Sequence, residues 1–147
     1  MEPVPGAAAE PSAAALAGAG PWAAFRRGFL ATRPKFYTAS VLPVLVGTAW
    51  AAAAHGEFDG LLFALAMIAT VLAHAATNVY NDVADDANGT DPANVMRIYP
   101  YTGGSRFIQN GILSRDTMFR LALGLGLAAL AIGLWMTFLR GPGVMVL

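Results

Sequence analysis

The chain contains no cysteine, which excludes disulfides and thiolate metal sites. With only two histidines, His55 and His74, a zinc site of the usual His/Cys composition is poorly supplied. Lysine is nearly absent: Lys35 is the only one, and the other bases are arginines. Charged residues make up 12% of the chain, where a soluble domain carries roughly a quarter. The formal net charge is zero, so no global field draws in nucleic acid, and none is expected as a partner. Residues 1–21 hold Ala, Pro and Gly with Glu2 and Glu10 but no base. A secretory signal needs a positive start followed by an apolar core, so this stretch reads instead as a disordered tail.

What is abundant is hydrophobic sequence, 56% of the chain. Phe36–Ala54 and Leu121–Leu139 each run nineteen residues without a charge, and Leu61–Tyr80 runs twenty. At about 1.5 Å per residue each run suffices to cross a hydrocarbon layer about 30 Å thick. The expected class is therefore an all-α integral membrane protein: a partial transmembrane helix bundle with three complete spans and the start of a fourth. The apolar stub after Gly141-Pro142-Gly143 reads as that start. On this reading residues 22–147 are the N-terminal part of a truncated membrane domain. A C-terminal half supplied by missing sequence is then an expected partner.

Orientation follows from the bases. Arg26, Arg27, Arg33 and Lys35 precede the first span, and Arg97, Arg106, Arg115 and Arg120 lie between the second and third. The short connection His55–Gly60 carries Glu57 and Asp59 without Lys or Arg. The N-terminus and the long loop are expected in the cytoplasm, with the chain multi-pass in a bacterial-type inner membrane. Arg140 falls on the outer side and runs mildly against the rule. Ahead of the first span, Trp22, Phe25 and Phe29 share one helical face with Arg26 and Arg27 turned away, the pattern of a short helix in the headgroup layer. Pro34 interrupts any continuous helix into the span.

The chemistry concentrates between His74 and Asp91. With a helix persisting to about Ala87, His74, Asn78, Asn81 and Asp85 fall within about 60° of arc, with Asp82 at its edge and Asp86 further round. Gly89 is a natural stop, after which Asp91 can fold back. Asn and Asp oxygens are hard ligands suited to Mg²⁺, which takes one or two carboxylates plus substrate phosphates. Carboxylates crowded at a membrane boundary repel one another, and a bound divalent cation would relieve that. A solvated acidic helix end would account for one or two acids but not for the amides beside them. His74 can equally serve as a buried residue bonding a neighbouring helix. Downstream, Gly103-Gly104-Ser105-Arg106 offers backbone N–H groups, a hydroxyl and a guanidinium to a phosphate. Ser105, Arg106, Arg97 and Lys35 form the expected diphosphate set; His74, Asn78, Arg33 and Gln109 are candidates for the substrate pocket. Arg33 and Lys35 can also be plain positive-inside anchors.

Asn81-Asp82-x-x-Asp85, with Gly89-Thr90-Asp91, Asn78, Arg33-Pro34-Lys35, Gly103-Gly104-Ser105-Arg106 and Gln109-x-Gly111, resembles the UbiA superfamily of membrane prenyltransferases. Among its branches the pattern is most similar to the one that prenylates 1,4-dihydroxy-2-naphthoate for menaquinone. The resemblance implies a helical bundle around a central cavity and Mg²⁺ as cofactor, held by Asn81, Asp82, Asp85 and Asp91, with Asn81, Asp82 and Asp85 as the catalytic core. It also implies a polyprenyl diphosphate donor, an aromatic acceptor such as a quinone precursor, and a second Asp-rich motif in a C-terminal half. The alternatives are a cation-binding transporter or channel segment and another lipid-modifying transferase. For a CDP-alcohol phosphotransferase, the Asp-Gly-x-x-Ala-Arg signature is missing.

Overall fold

The structure is a computed structural model, and it describes residues 10–94, 98–99 and 101–145. The described residues are helices, turns and loops with no strand. Helix α1, Pro21–Ala31, starts on a proline, whose missing N–H costs nothing in a first turn. Trp22, Phe25 and Phe29 stack along it with ring centroids 5.5 and 6.0 Å apart, and the three rings are exposed. This is the apolar stripe expected of an interfacial helix. The chain then turns at Arg33, whose φ of 55° is left-handed, through a 3-10 turn at Pro34–Phe36. Helix α2, Thr38–His55, follows and stops at Gly56.

Helix α3, Gly60–Asn88, begins where the Asp59 side chain accepts from the Leu61 and Leu62 backbone N–H groups. It ends at Gly89, with φ 83°, the stop expected from the sequence. A short helix α4, Thr90–Ala93, leads into the loop. Helix α5, Arg115–Arg140, opens with the Ser114 hydroxyl accepting from the Thr117 N–H. The described residues end in a 3-10 turn, Pro142–Met145, and the remainder of the stub read as a fourth span lies outside them.

Three helical stretches, Pro34–His55, Gly60–Asn88 and Arg115–Arg140, are long and apolar enough to cross a membrane. They bury little of themselves: 0%, 11% and 6% of their most apolar windows. In lipid there is no hydrophobic force between helices, so close fit of small residues matters more. Antiparallel α3 and α5 meet at such a point, where a Cβ on Gly126 would stand 3.8 Å from the Ala76 Cβ. The buried core lies at the loop end of this hairpin, built from Val79, Val83, Phe107, Ile112, Met118 and Ala122. Ion pairs fasten both ends: Asp86 to Arg115 at 2.6 Å, and Asp59 to Arg140 at 2.5 Å. Arg140, the charge that sat awkwardly in the orientation rule, is thus matched locally. The helix-start N–H groups, Leu62 foremost, and the Arg140 guanidinium hold the Asp59 carboxyl below its ordinary value.

The reading of residues 1–21 as a disordered tail needs correction from residue 10 onward. Leu16 is buried in the core at 6% exposure. The Arg27 guanidinium donates to the carbonyls of Leu16 and Gly18, and the Asn110 amide donates to that of Pro11 at 2.7 Å. Composition reported a polar-poor, flexible stretch; partners far along the chain hold it in place.

Candidate functional site

Asp82, not the Asn81–Asp85 face, is the centre of the arrangement. Its side chain is 3% exposed and lies on the inner face of the α3 end. One oxygen accepts from Arg33 at 2.7 Å and the other from the Ser105 N–H at 3.1 Å. Arg33 reaches it because its left-handed backbone turns the chain back under α3. The Gly103–Arg106 loop was expected to cradle a phosphate with its N–H groups. Instead, the Ser105 N–H grips the protein's own carboxylate, and the Ser105 hydroxyl accepts from the Phe107 N–H at 3.4 Å.

Gly104 explains why the loop is glycine-rich. A Cβ there would lie 2.9 Å from an oxygen of Asp82 and 2.9 Å from an oxygen of Asp91. No side chain fits between those carboxylates, and φ of 75° also favours glycine. Three separate stretches, the α3 end, α4 and the loop, therefore converge within contact distance. Asp91 is 2% exposed, and its Oδ2 has no hydrogen-bond partner. Burial pushes its carboxyl above the ordinary 3.8, and the charges of Asp82 and Asp85 push it further, against Arg106 and Arg33. Arg106 donates to the Asp91 backbone carbonyl while its buried Nε stays unpartnered.

The remaining candidates divide. Asn81 donates to Asp85 at 2.8 Å, and this pair is exposed. The other two members of the expected single face turn away from it: the Asn78 amide donates to the Thr32 carbonyl at 3.1 Å, and His74 Nδ1 lies 2.6 Å from the Ser40 hydroxyl. The expected arc holds as helical register but not as one ligand shell, because Thr32 and Ser40 offer partners on the α1–α2 side. Gln109 donates to Asp86 at 2.9 Å, where Arg115 also binds, so it braces the hairpin instead of lining a pocket. Lys35 lines a cavity of about 100 Å³ with Arg33, Gly104 and Ser105. Arg97 lies outside the described residues. Sequence reasoning missed Thr32, Ser40, Arg115 and the contact role of Gly104; only the paired glycines gave any signal.

Among the described residues, no three His, Asp or Glu side chains are gathered tightly enough to hold an ion by themselves. Mg²⁺ needs fewer, since it takes one or two carboxylates together with phosphate oxygens and waters. An unpartnered buried Asp91 oxygen, mutually repelling carboxylates and the open Asn81–Asp85 pair fit such an ion. Asp82, tied to Arg33 and Ser105, fits as the brace of the site more than as a ligand.

The profile of the UbiA prenyltransferase family matches residues 40–147. The chain is 30% identical over 101 residues to a 2-carboxy-1,4-naphthoquinone phytyltransferase from Synechocystis, covering 69% of this chain and 32% of that protein. It is 40% identical over 62 residues to UbiA prenyltransferase domain-containing protein 1 from Xenopus tropicalis, covering 42% of this chain and 18% of that protein. The Dictyostelium discoideum protein of the same name is 42% identical over 62 residues, covering 42% of this chain and 19% of that protein. The chain thus spans at most about a third of the length of these relatives. No solved structure matches it.

Proposed function

The chain belongs to the UbiA prenyltransferase family, and on that premise we propose that it takes part in Mg²⁺-dependent transfer of a polyprenyl group from an allylic diphosphate to an aromatic acceptor. The convergence of Asp82, Asp91 and Gly104, flanked by Arg33 and Arg106, carries the reading. A quinone precursor such as 1,4-dihydroxy-2-naphthoate is the acceptor we favour, since the Synechocystis relative is named for a naphthoquinone.

Asp85 with Asn81, and Asp91 from α4, would hold the ion. When bound, Mg²⁺ neutralises charge on the departing diphosphate. Asp82 keeps Arg33 and the Ser105 loop in place before substrate arrives, so little reorganisation is needed as charge develops. The Nε of Arg106 is a buried donor without a partner, suited to a phosphate oxygen. In the reaction the allylic C–O bond breaks, the carbon joins the aromatic ring, and the ring proton is lost. The prenyl tail lies on apolar helix faces in the bilayer. The site faces the cytoplasm of a bacterial-type inner membrane, following the bases around it.

The test is a prenyl-transfer assay on the complete reading frame in proteoliposomes, with and without chelator, using a panel of aromatic acceptors. Product that disappears on chelation and in Asp91→Asn supports the reading. Cation flux without product would favour the transporter alternative.

A further inference from the structure

The N-terminal segment and the Gly104–Ser105 turn meet at one small cavity. Pro11 forms one of its walls, and Arg33, Lys35, Gly104, Ser105 and Phe107 form others. The cavity, about 100 Å³, has room for a single carboxylate or phosphate group, not for a whole substrate. Leu30, Pro34, Phe36 and Phe107 make much of its wall apolar, and Arg33, Lys35 and Ser105 are the donors set among them. The Arg33 Nε is buried with no partner while its Nη2 holds Asp82. None of the ion pairs among the described residues engages Lys35.

Pro11 is there because the segment is tied at three points. Its carbonyl accepts from Asn110, Leu16 is sunk in the core beside the loop, and Arg27 clamps the carbonyls of Leu16 and Gly18. At the clamp and just after it, Gly18 and Gly20 have φ of 148° and 91°, conformations that favour glycine, and there the segment turns into α1.

We infer that residues 10–20 are a working part of the site: a strap whose seating closes an oxoanion subsite built by Arg33, Lys35 and the Gly104–Ser105 turn. The strap follows from the geometry alone; only the identity of the anion rests on the prenyl-transfer reading, as either the donor's phosphate or an acceptor's carboxylate. By reciprocity, an anion that favours the seated strap binds more tightly when the strap is seated, a coupling that typically amounts to about 5–150-fold.

A cysteine-free chain makes this measurable. In the full-length protein in nanodiscs, with any cysteine outside these 147 residues replaced, Leu16→Cys gives a single thiol that a maleimide reaches only when the strap lifts. Inorganic pyrophosphate or benzoate is expected to slow labelling by about fivefold or more, and Lys35→Gln in the same background is expected to abolish that protection. Slowing by pyrophosphate assigns the subsite to the donor, and slowing by benzoate assigns it to the acceptor. No slowing by either anion, or protection that survives Lys35→Gln, overturns the inference. Should Leu16→Cys not fold, amide hydrogen exchange over residues 12–18 of the unsubstituted protein, with and without the two anions, decides in the same way. An anion-responsive strap on a protein that transfers no prenyl group would sink the functional reading and leave the strap standing.

Discussion

At Gly104 a single added methyl group would press on two carboxylates at once. Gly104→Ala is expected to lose prenyl transfer and to lower stability by about 1–3 kcal/mol from backbone strain alone. Gly111→Ala separates the two causes, because Gly111 shares the left-handed backbone at φ 65° but would meet nothing within 4 Å. If both variants keep activity, the carboxylates do not need their spacing. Asp91 sets a pH dependence whose sign is unusual for a carboxylate. Its folded value is raised, so its contribution to stability is complete below the ordinary 3.8 and is lost as pH rises through the folded value. Chelated protein should therefore melt lower as pH climbs from acid toward neutral. Added Mg²⁺ should reverse the loss, and Asp91→Asn should flatten both effects; thermal scans by circular dichroism check it. The return of Asp91 toward the α3 end was legible in the sequence, from the stop at Gly89. The Asp82–Arg33 bond was not, because the two lie 49 residues apart and the turn that joins them needs a left-handed arginine.

The elements were more legible than their contacts. Hydrophobic runs marked all three spans, and Gly89 marked the end of α3, because helix stops and apolar lengths are local properties. The neighbours of His74 and Asn78 were hidden, since helical register gives a direction along one helix and says nothing of what stands opposite. At this scale the α3–α5 contact is open to test. Gly126→Leu should force the helices apart at Ala76 and destabilise the hairpin by about 1–3 kcal/mol, whereas Gly124→Leu, facing open space, should be tolerated. Thermal midpoints in detergent distinguish them, and equal midpoints would mean that this crossing carries no packing.

For the whole molecule, orientation can be tested in the same background, with any cysteine outside these 147 residues replaced. Tyr101→Cys is expected to label from the cytoplasmic side and Glu57→Cys from outside; the opposite pattern would invert the topology. The two ion pairs closing the hairpin add something that composition does not foretell. Asp86–Arg115 and Asp59–Arg140 sit at opposite ends of α5, whose 26 residues make it about 39 Å long. That length exceeds a hydrocarbon layer of about 30 Å and falls just short of the full bilayer. The rungs thus lie in the two headgroup zones, and neither helix can slide along the other without breaking one. A thinner or thicker bilayer must then be met by tilting the pair as one rigid ruler, carrying the acidic centre with it.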